Sequence, residues 1–178
     1  MPVDVFTPAV ADVVELAAVA ARTFPLACPP SATADNIDAF IAETLSADRF
    51  REYLADPDRV VLTAREDGRM VGYVMLIGGV PEDDDVRATV TLRPAIELSK
   101  MYVLPDSHGA GVSAALMSAA LQRARDLDAE CVWLGVNQQN RRAQRFYTKH
   151  GFTVTGTRTF RLGAGIEHDY VMVRPLER

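Results

Sequence analysis

The chain has 178 residues, 48% hydrophobic and 24% charged, with a formal net charge of -5. That length can bury a core of its own without disulfides or metals, and the acidic balance gives no reason to expect nucleic-acid binding and mildly favours a cationic partner. Cys28 and Cys131 are the only cysteines, too few for a disulfide framework and not in a CxxC arrangement, so no metal is expected. No run reaches the length of a transmembrane helix, and Met1-Pro2-Val3-Asp4 lacks the basic and apolar regions of a secretory signal. A cytoplasmic protein with no membrane partner is the expectation. The absence of repeats and linkers points to one domain over residues 1–178.

Val3 to Phe6 reads as a short strand closed by Pro8. Asp12 to Phe24 carries Val13, Leu16, Val19 and Ala20 at helical spacing. Pro25, Pro29 and Pro30 then place Leu26 to Ser31 in a loop. A second helical region puts Ile37, Phe40, Ile41 and Leu45 on one side and continues through Phe50 and Leu54, ending at Asp56-Pro57-Asp58. Arg59 to Ala64 and Met70 to Ile77, joined by Glu66-Asp67-Gly68-Arg69, read as a hairpin. Glu82 to Asp85 is read as a solvated loop in preference to a polyamine site. Ala95 to Val103 forms the next strand, extended backwards through Val90 and Leu92.

A glycine-rich turn leads into a helix over about Val112 to Leu127, with an alanine-rich stripe suited to close packing on a sheet. Cys131 to Val136 is almost wholly apolar, as a buried strand requires. Asn140 to His150 is a short helix ended by Gly151, and Phe152 to Thr159 and Ile166 to Val173 alternate as two last strands around Gly163-Ala164-Gly165. This order fits a mixed sheet flanked by helices better than a doubly wound parallel sheet.

His108-Gly109-Ala110-Gly111-Val112-Ser113 has the makings of an anion site, because glycines let main-chain N–H groups converge and a helix N-terminus adds its positive end. It is not a Walker A loop, and as a dinucleotide fingerprint it fails at Ala114. Spacing alone leaves a ligand-free structural turn open. The stretch Met101 to Leu116 resembles motif A of the GNAT superfamily of N-acetyltransferases, with His108, Gly111 and Ser113 at the positions of the arginine or glutamine, the glycine, and the final small residue. Asn140, Ala143, Phe146, Tyr147, Lys149, Gly151 and Phe152 match the family's asparagine-x-x-alanine-x-x-phenylalanine-tyrosine-x-lysine-x-glycine-phenylalanine motif. Within the superfamily, Met101 to Pro105, Trp133 to Val136 and the prolines after Phe24 look closest to the spermidine/spermine acetyltransferases related to bacterial sporulation regulators.

The resemblance implies a mostly antiparallel mixed sheet of about seven strands and about four helices, with two central strands splayed around the pantetheine arm of acetyl-coenzyme A. Met101, Tyr102 and Val103 would run beside that arm, the Val103 N–H facing the acetyl oxygen. His108, Gly109, Ala110, Gly111, Val112, Ser113 and Ala114 would cradle the pyrophosphate, with Asn140 and Ala143 nearby. His108 replaces a permanent cation, which makes binding more dependent on pH. Tyr147 would donate to the departing thiolate. Glu97 is the candidate base, directly or through water, on a face that strand alternation shares with Ser99 and Met101. The acceptor implied is a small-molecule amine such as a polyamine. A protein amine, or a non-catalytic acyl-coenzyme A-binding module, stays open, as does a homodimer. The acceptor pocket would draw on Phe24 to Ala34, the second helical region and the Gly163 turn.

Overall fold

The computed structural model describes residues 3–107 and 111–177. Its elements in chain order are β1 (Asp4–Phe6), α1 (Val13–Ala27), α2 (Ala34–Thr44), α3 (Ala47–Ala55), β2 (Arg59–Glu66), β3 (Arg69–Gly78), α4 (Asp84–Thr89), β4 (Ala95–Val103), α5 (Val112–Asp126), β5 (Cys131–Asn137), α6 (Arg141–Lys149), β6 (Thr153–Leu162) and β7 (Gly165–Pro175). They build one seven-stranded sheet in the order β1-β2-β3-β4-β5-β7-β6. Every neighbouring pair is antiparallel except β4–β5, so the sheet has the expected mixed, mostly antiparallel character.

The sheet carries an apolar layer on each face. β3 is buried from Met70 to Leu76, the mark of a central strand covered on both sides. On one face Leu116, Met117, Ala120, Leu121 and Ala124 of α5 pack on Leu62, Val74 and Leu98; the alanines let the helix axis come close. On the other face Leu16, Val19 and Phe24 of α1 meet Phe50 of α3 and Tyr73 of β3. The Phe50 and Tyr73 rings meet edge to face at 5.7 Å. A smaller cluster sets Val86 and Val90 against Trp133, whose indole N–H donates to the Gly79 carbonyl at 3.3 Å.

Six helices stand among the described residues where the sequence suggested about four. The second helical region is two helices, because the Thr33 hydroxyl accepts from Asn36 N at 3.1 Å and the Ser46 hydroxyl from Arg49 N at 3.2 Å, giving each its own N-cap. The acidic run is not all loop: Asp83 caps α4, its carboxylate accepting from the amides of Asp85 at 2.9 Å and Val86 at 3.3 Å. Val90 is the C-cap of α4 and fully buried, so β4 begins at Ala95 and does not reach back through Val90 and Leu92. Nor does α1 stop at Phe24. Pro25 sits in its last turn, where one missing amide is tolerated, and the chain leaves the helix at Cys28, ahead of Pro29 and Pro30. Both terminal strands run longer than their alternation indicated.

Candidate active site

The parallel pairing of β4 with β5 covers only Ala95↔Cys131, Ile96↔Val132 and Glu97↔Trp133. Beyond Glu97 the strands part, and β5 continues along β7. The expected splay is therefore present, with Glu97 at its apex. Against β3, the register steps from Leu76↔Leu98 to Met75↔Lys100, leaving Ser99 as an extra residue. That bulge shifts the phase of the strand. The same-face reading of Glu97, Ser99 and Met101 is corrected accordingly: Met101 packs on the α5-side core, Tyr102 on the α1 side, and Lys100 reaches Phe40 of α2 with its ammonium 5.5 Å from the ring centre.

Two chambers meet in the gap, one of about 320 Å³ and one of about 470 Å³. Ala27, Met101, Tyr102, Asn140, Ala143 and Tyr147 line both and form the neck between them. The larger runs past Val103 to Gly111, Ser113 and Ala114 at the start of α5, with Arg142 and Phe146 opposite. The smaller is walled by Glu97, Lys100, Arg158, Glu167 and Asp169, with Phe24, Cys28 and Leu162 as its apolar side. Val112 points elsewhere: it is buried in the core beneath α5 and lines neither chamber. His108, Gly109 and Ala110 lie outside the described residues. Asp35, Asp38 and Glu43 face water.

Local chemistry explains how the larger chamber is built. Gly111 precedes α5 with φ +80°, a left-handed conformation that favours glycine, and it brings no side chain to cap the helix. The first-turn amides of a 15-residue helix therefore open toward the chamber. Leu104 N donates to Val71 O at 2.8 Å, and antiparallel alternation then turns the main-chain edges of Val103 and Met101 toward the splay. At α6 the cap is Asn140, whose Oδ1 accepts from Ala143 N at 3.1 Å; Asn137 instead accepts from Gln139 N at 2.9 Å. Asn140→Ala is expected to lower stability by about 1 kcal/mol, measured by urea unfolding. Tyr147 is wedged between Phe146 and Phe152, with ring centres 5.6 and 5.8 Å away, and burial pushes its phenol up to about 12.

Residues 25–152 match the Acetyltransferase (GNAT) family. The chain belongs to that family. This acetyltransferase is 59% identical over 165 residues to an uncharacterized N-acetyltransferase of Mycobacterium tuberculosis, covering 93% of this chain and 98% of that one. Its fold is similar to the PaiA N-acetyltransferase of Thermoplasma acidophilum, solved in complex with coenzyme A (TM-score 0.78, 18% identity, 99% of this chain and 100% of that one). It is also similar to a GNAT acetyltransferase of Streptococcus pneumoniae (TM-score 0.67, 16% identity, 98% and 100%).

The smaller chamber of the acetyltransferase contains a charge network that the sequence reading missed. Arg158 of β6 lies directly across from Asp169 of β7, and its Nε donates to the Asp169 carboxylate at 3.3 Å. Its Nη1 stands 4.0 Å from the Glu97 carboxylate, and its guanidinium lies over the Trp133 ring at 5.6 Å. The plane rests on Gly135, where a Cβ would come within 2.2 Å of Nη2, so glycine is what admits the arginine. Burial raises both carboxyl groups above their ordinary range, while Arg158 pulls each back down. Loss of solvation lowers Lys100 to about 8, with Glu97 pulling it upward. Burial pushes the Cys28 thiol up to about 11 and raises Cys131 too, so neither offers a thiolate nucleophile near neutral pH.

Proposed function

We propose that the chain transfers an acetyl group from acetyl-coenzyme A to a primary amine of a small molecule by direct attack in a ternary complex. The observation that carries this reading is the gap between β4 and β5, which opens at Glu97, passes Tyr147 on the wall shared by both chambers and ends at the start of α5, where the N-cap is Gly111. The residues present fit coenzyme A. First-turn amides of α5 would receive its pyrophosphate, cleft-facing main chain at Met101 to Val103 would run beside its pantetheine arm, and Asn140 and Ala143 would flank it. Bound there, it supplies an acetyl group activated as a thioester.

The chain's own residues handle the protons. Glu97, buried at the apex and raised above an ordinary glutamate, accepts the proton of the incoming ammonium directly or through water. The amine nitrogen would bond the acetyl carbon as the carbon–sulfur bond breaks; the Tyr147 hydroxyl would protonate the departing sulfur, and the proton the nitrogen sheds on becoming an amide would return to the Tyr147 oxygen through solvent. Among the described residues that hydroxyl has no hydrogen-bond partner competing for it.

The finer assignment, a polyamine acceptor, is supported by the sequence likeness at Met101 to Pro105 and by the carboxylates Glu97, Glu167 and Asp169. Arg158 and Lys100 on the same wall weigh against it. Purified protein, acetyl-coenzyme A and a panel of polyamines, amino acids, their amides and peptides decide the matter by coenzyme A release. Turnover of small amines above peptides is expected. Peptide turnover exceeding every small amine would reassign the acceptor, and cofactor binding without any turnover would make the chain a regulatory module.

A further inference from the structure

The charges on the smaller chamber's wall divide into a satisfied set and an unsatisfied one. Arg158 is committed to Asp169 and Glu97, so each of those carboxylates has a cationic partner, with one negative charge left over between them. Lys100 is different. Among the described residues no carboxylate lies within ion-pairing distance of it, and its contacts are the Phe40 ring and a 3.5 Å hydrogen bond from Nζ to Ser99 Oγ. Glu167, on β7 at the same wall, likewise has no ion pair or side-chain hydrogen bond among the described residues. One uncommitted cation and one uncommitted anion thus face a chamber of about 320 Å³, which has an apolar side at Phe24, Cys28 and Leu162 and further polar lining at Ser99, Asn137 and Asn140.

From this arrangement we propose that the acceptor is a small zwitterion, an amine that carries a carboxylate with an apolar side chain, as the α-amino acids do. Lys100 receives the carboxylate, while Glu167 and Glu97 receive the amine. A partly desolvated ammonium without a counter-ion is costly, and an incoming carboxylate supplies the missing charge and hydrogen bond. A polyamine brings only more positive charge to Lys100. Phe40 covers the ammonium from the side of α2, and the Asn36 side chain ties α2 to the turn after β6 by accepting from Ala164 N at 3.1 Å, so the carboxylate end of the chamber is held by packed elements. The inference rests on the acetyl-transfer reading above.

The test compares apolar α-amino acids with their amides and their decarboxylated amines, plus spermidine, by coenzyme A release at pH 7. A charge-assisted bond from Lys100 predicts kcat/KM about tenfold to a hundredfold higher for the carboxylate-bearing member of each series, chiefly through KM. Lys100→Gln should bring that ratio close to one. The change in ratio is independent of the intrinsic basicity of each amine, which both proteins meet equally. If the variant does not fold, the wild-type ratio decides alone. Equal or better use of amides, decarboxylated amines or spermidine by the wild type overturns the inference and leaves acetyl transfer standing. So does a carboxylate preference that survives in Lys100→Gln. Silence on every amine, with coenzyme A shown by calorimetry to bind, overturns the acetyl-transfer reading itself, and this inference with it.

Discussion

Tyr147→Phe is expected to lower kcat by about 10²- to 10³-fold with coenzyme A still bound, the size of loss seen when one donor aimed at developing charge is removed. The substitution takes away a single oxygen. The phenyl ring stays between Phe146 and Phe152, so the aromatic cluster and the end of α6 are preserved. Burial holds the phenol up to about 12. The hydroxyl is therefore a donor throughout the neutral range, and the fractional loss should be the same at pH 6.5 and pH 8.5. A group that titrated near neutrality would give a loss that changes across that interval. Were Tyr147 only a packing residue, the phenylalanine variant would keep its rate. The measurement is steady-state coenzyme A release with the best amine of the panel, alongside calorimetric binding of coenzyme A and a urea unfolding curve. A large fall in kcat with intact binding and stability assigns the hydroxyl to the chemistry; a fall that tracks lost stability removes that assignment.

The sheet, its strand number and the approximate limits of α5, β5 and α6 were legible in the sequence, since each has strong periodicity or a cap within its own segment. The resemblance added the splay. What stayed hidden depends on relations between segments. The bulge at Ser99 belongs to the pairing of β3 with β4, and nothing in Ala95 to Val103 alone marks it; yet it decides that Lys100, and not Met101, shares the Glu97 face. In the sequence Pro25 reads as a breaker, as proline usually does, whereas the last helical turn tolerates the missing N–H. Arg158 and Asp169 look like ordinary members of two exposed strands. Only the strand order β5-β7-β6, in which the last strand inserts between its two predecessors, carries Arg158 over Gly135 toward Glu97. Sequence proximity suggests the opposite order.

That inserted strand sets up the second large effect. Arg158→Met is expected to destabilise the fold by about 3 kcal/mol near neutral pH, because two largely buried carboxylates lose the cation that offsets them. The Glu97 and Asp169 side chains are 15% and 6% exposed, so water cannot take over its role. The sign with pH follows from linkage. Both carboxyl groups already titrate above their ordinary range through burial, and Arg158 restrains the rise. Removing it raises them further. A carboxyl group whose folded pKa exceeds its unfolded value favours the fold most when protonated, below the unfolded pKa, and loses that contribution as pH rises through the folded one. The deficit of the variant should therefore be small near pH 4 and full above the raised values, as read by urea unfolding at pH 4.5 and pH 7.5. Gly135→Ala provides the companion test: it keeps every charge but puts a Cβ where the guanidinium lies, so it should reproduce part of the loss with the same pH trend. An equal loss at both pH values in Arg158→Met would instead trace the effect to the arginine's packing over Trp133, 5.6 Å away, and not to the carboxylates it joins.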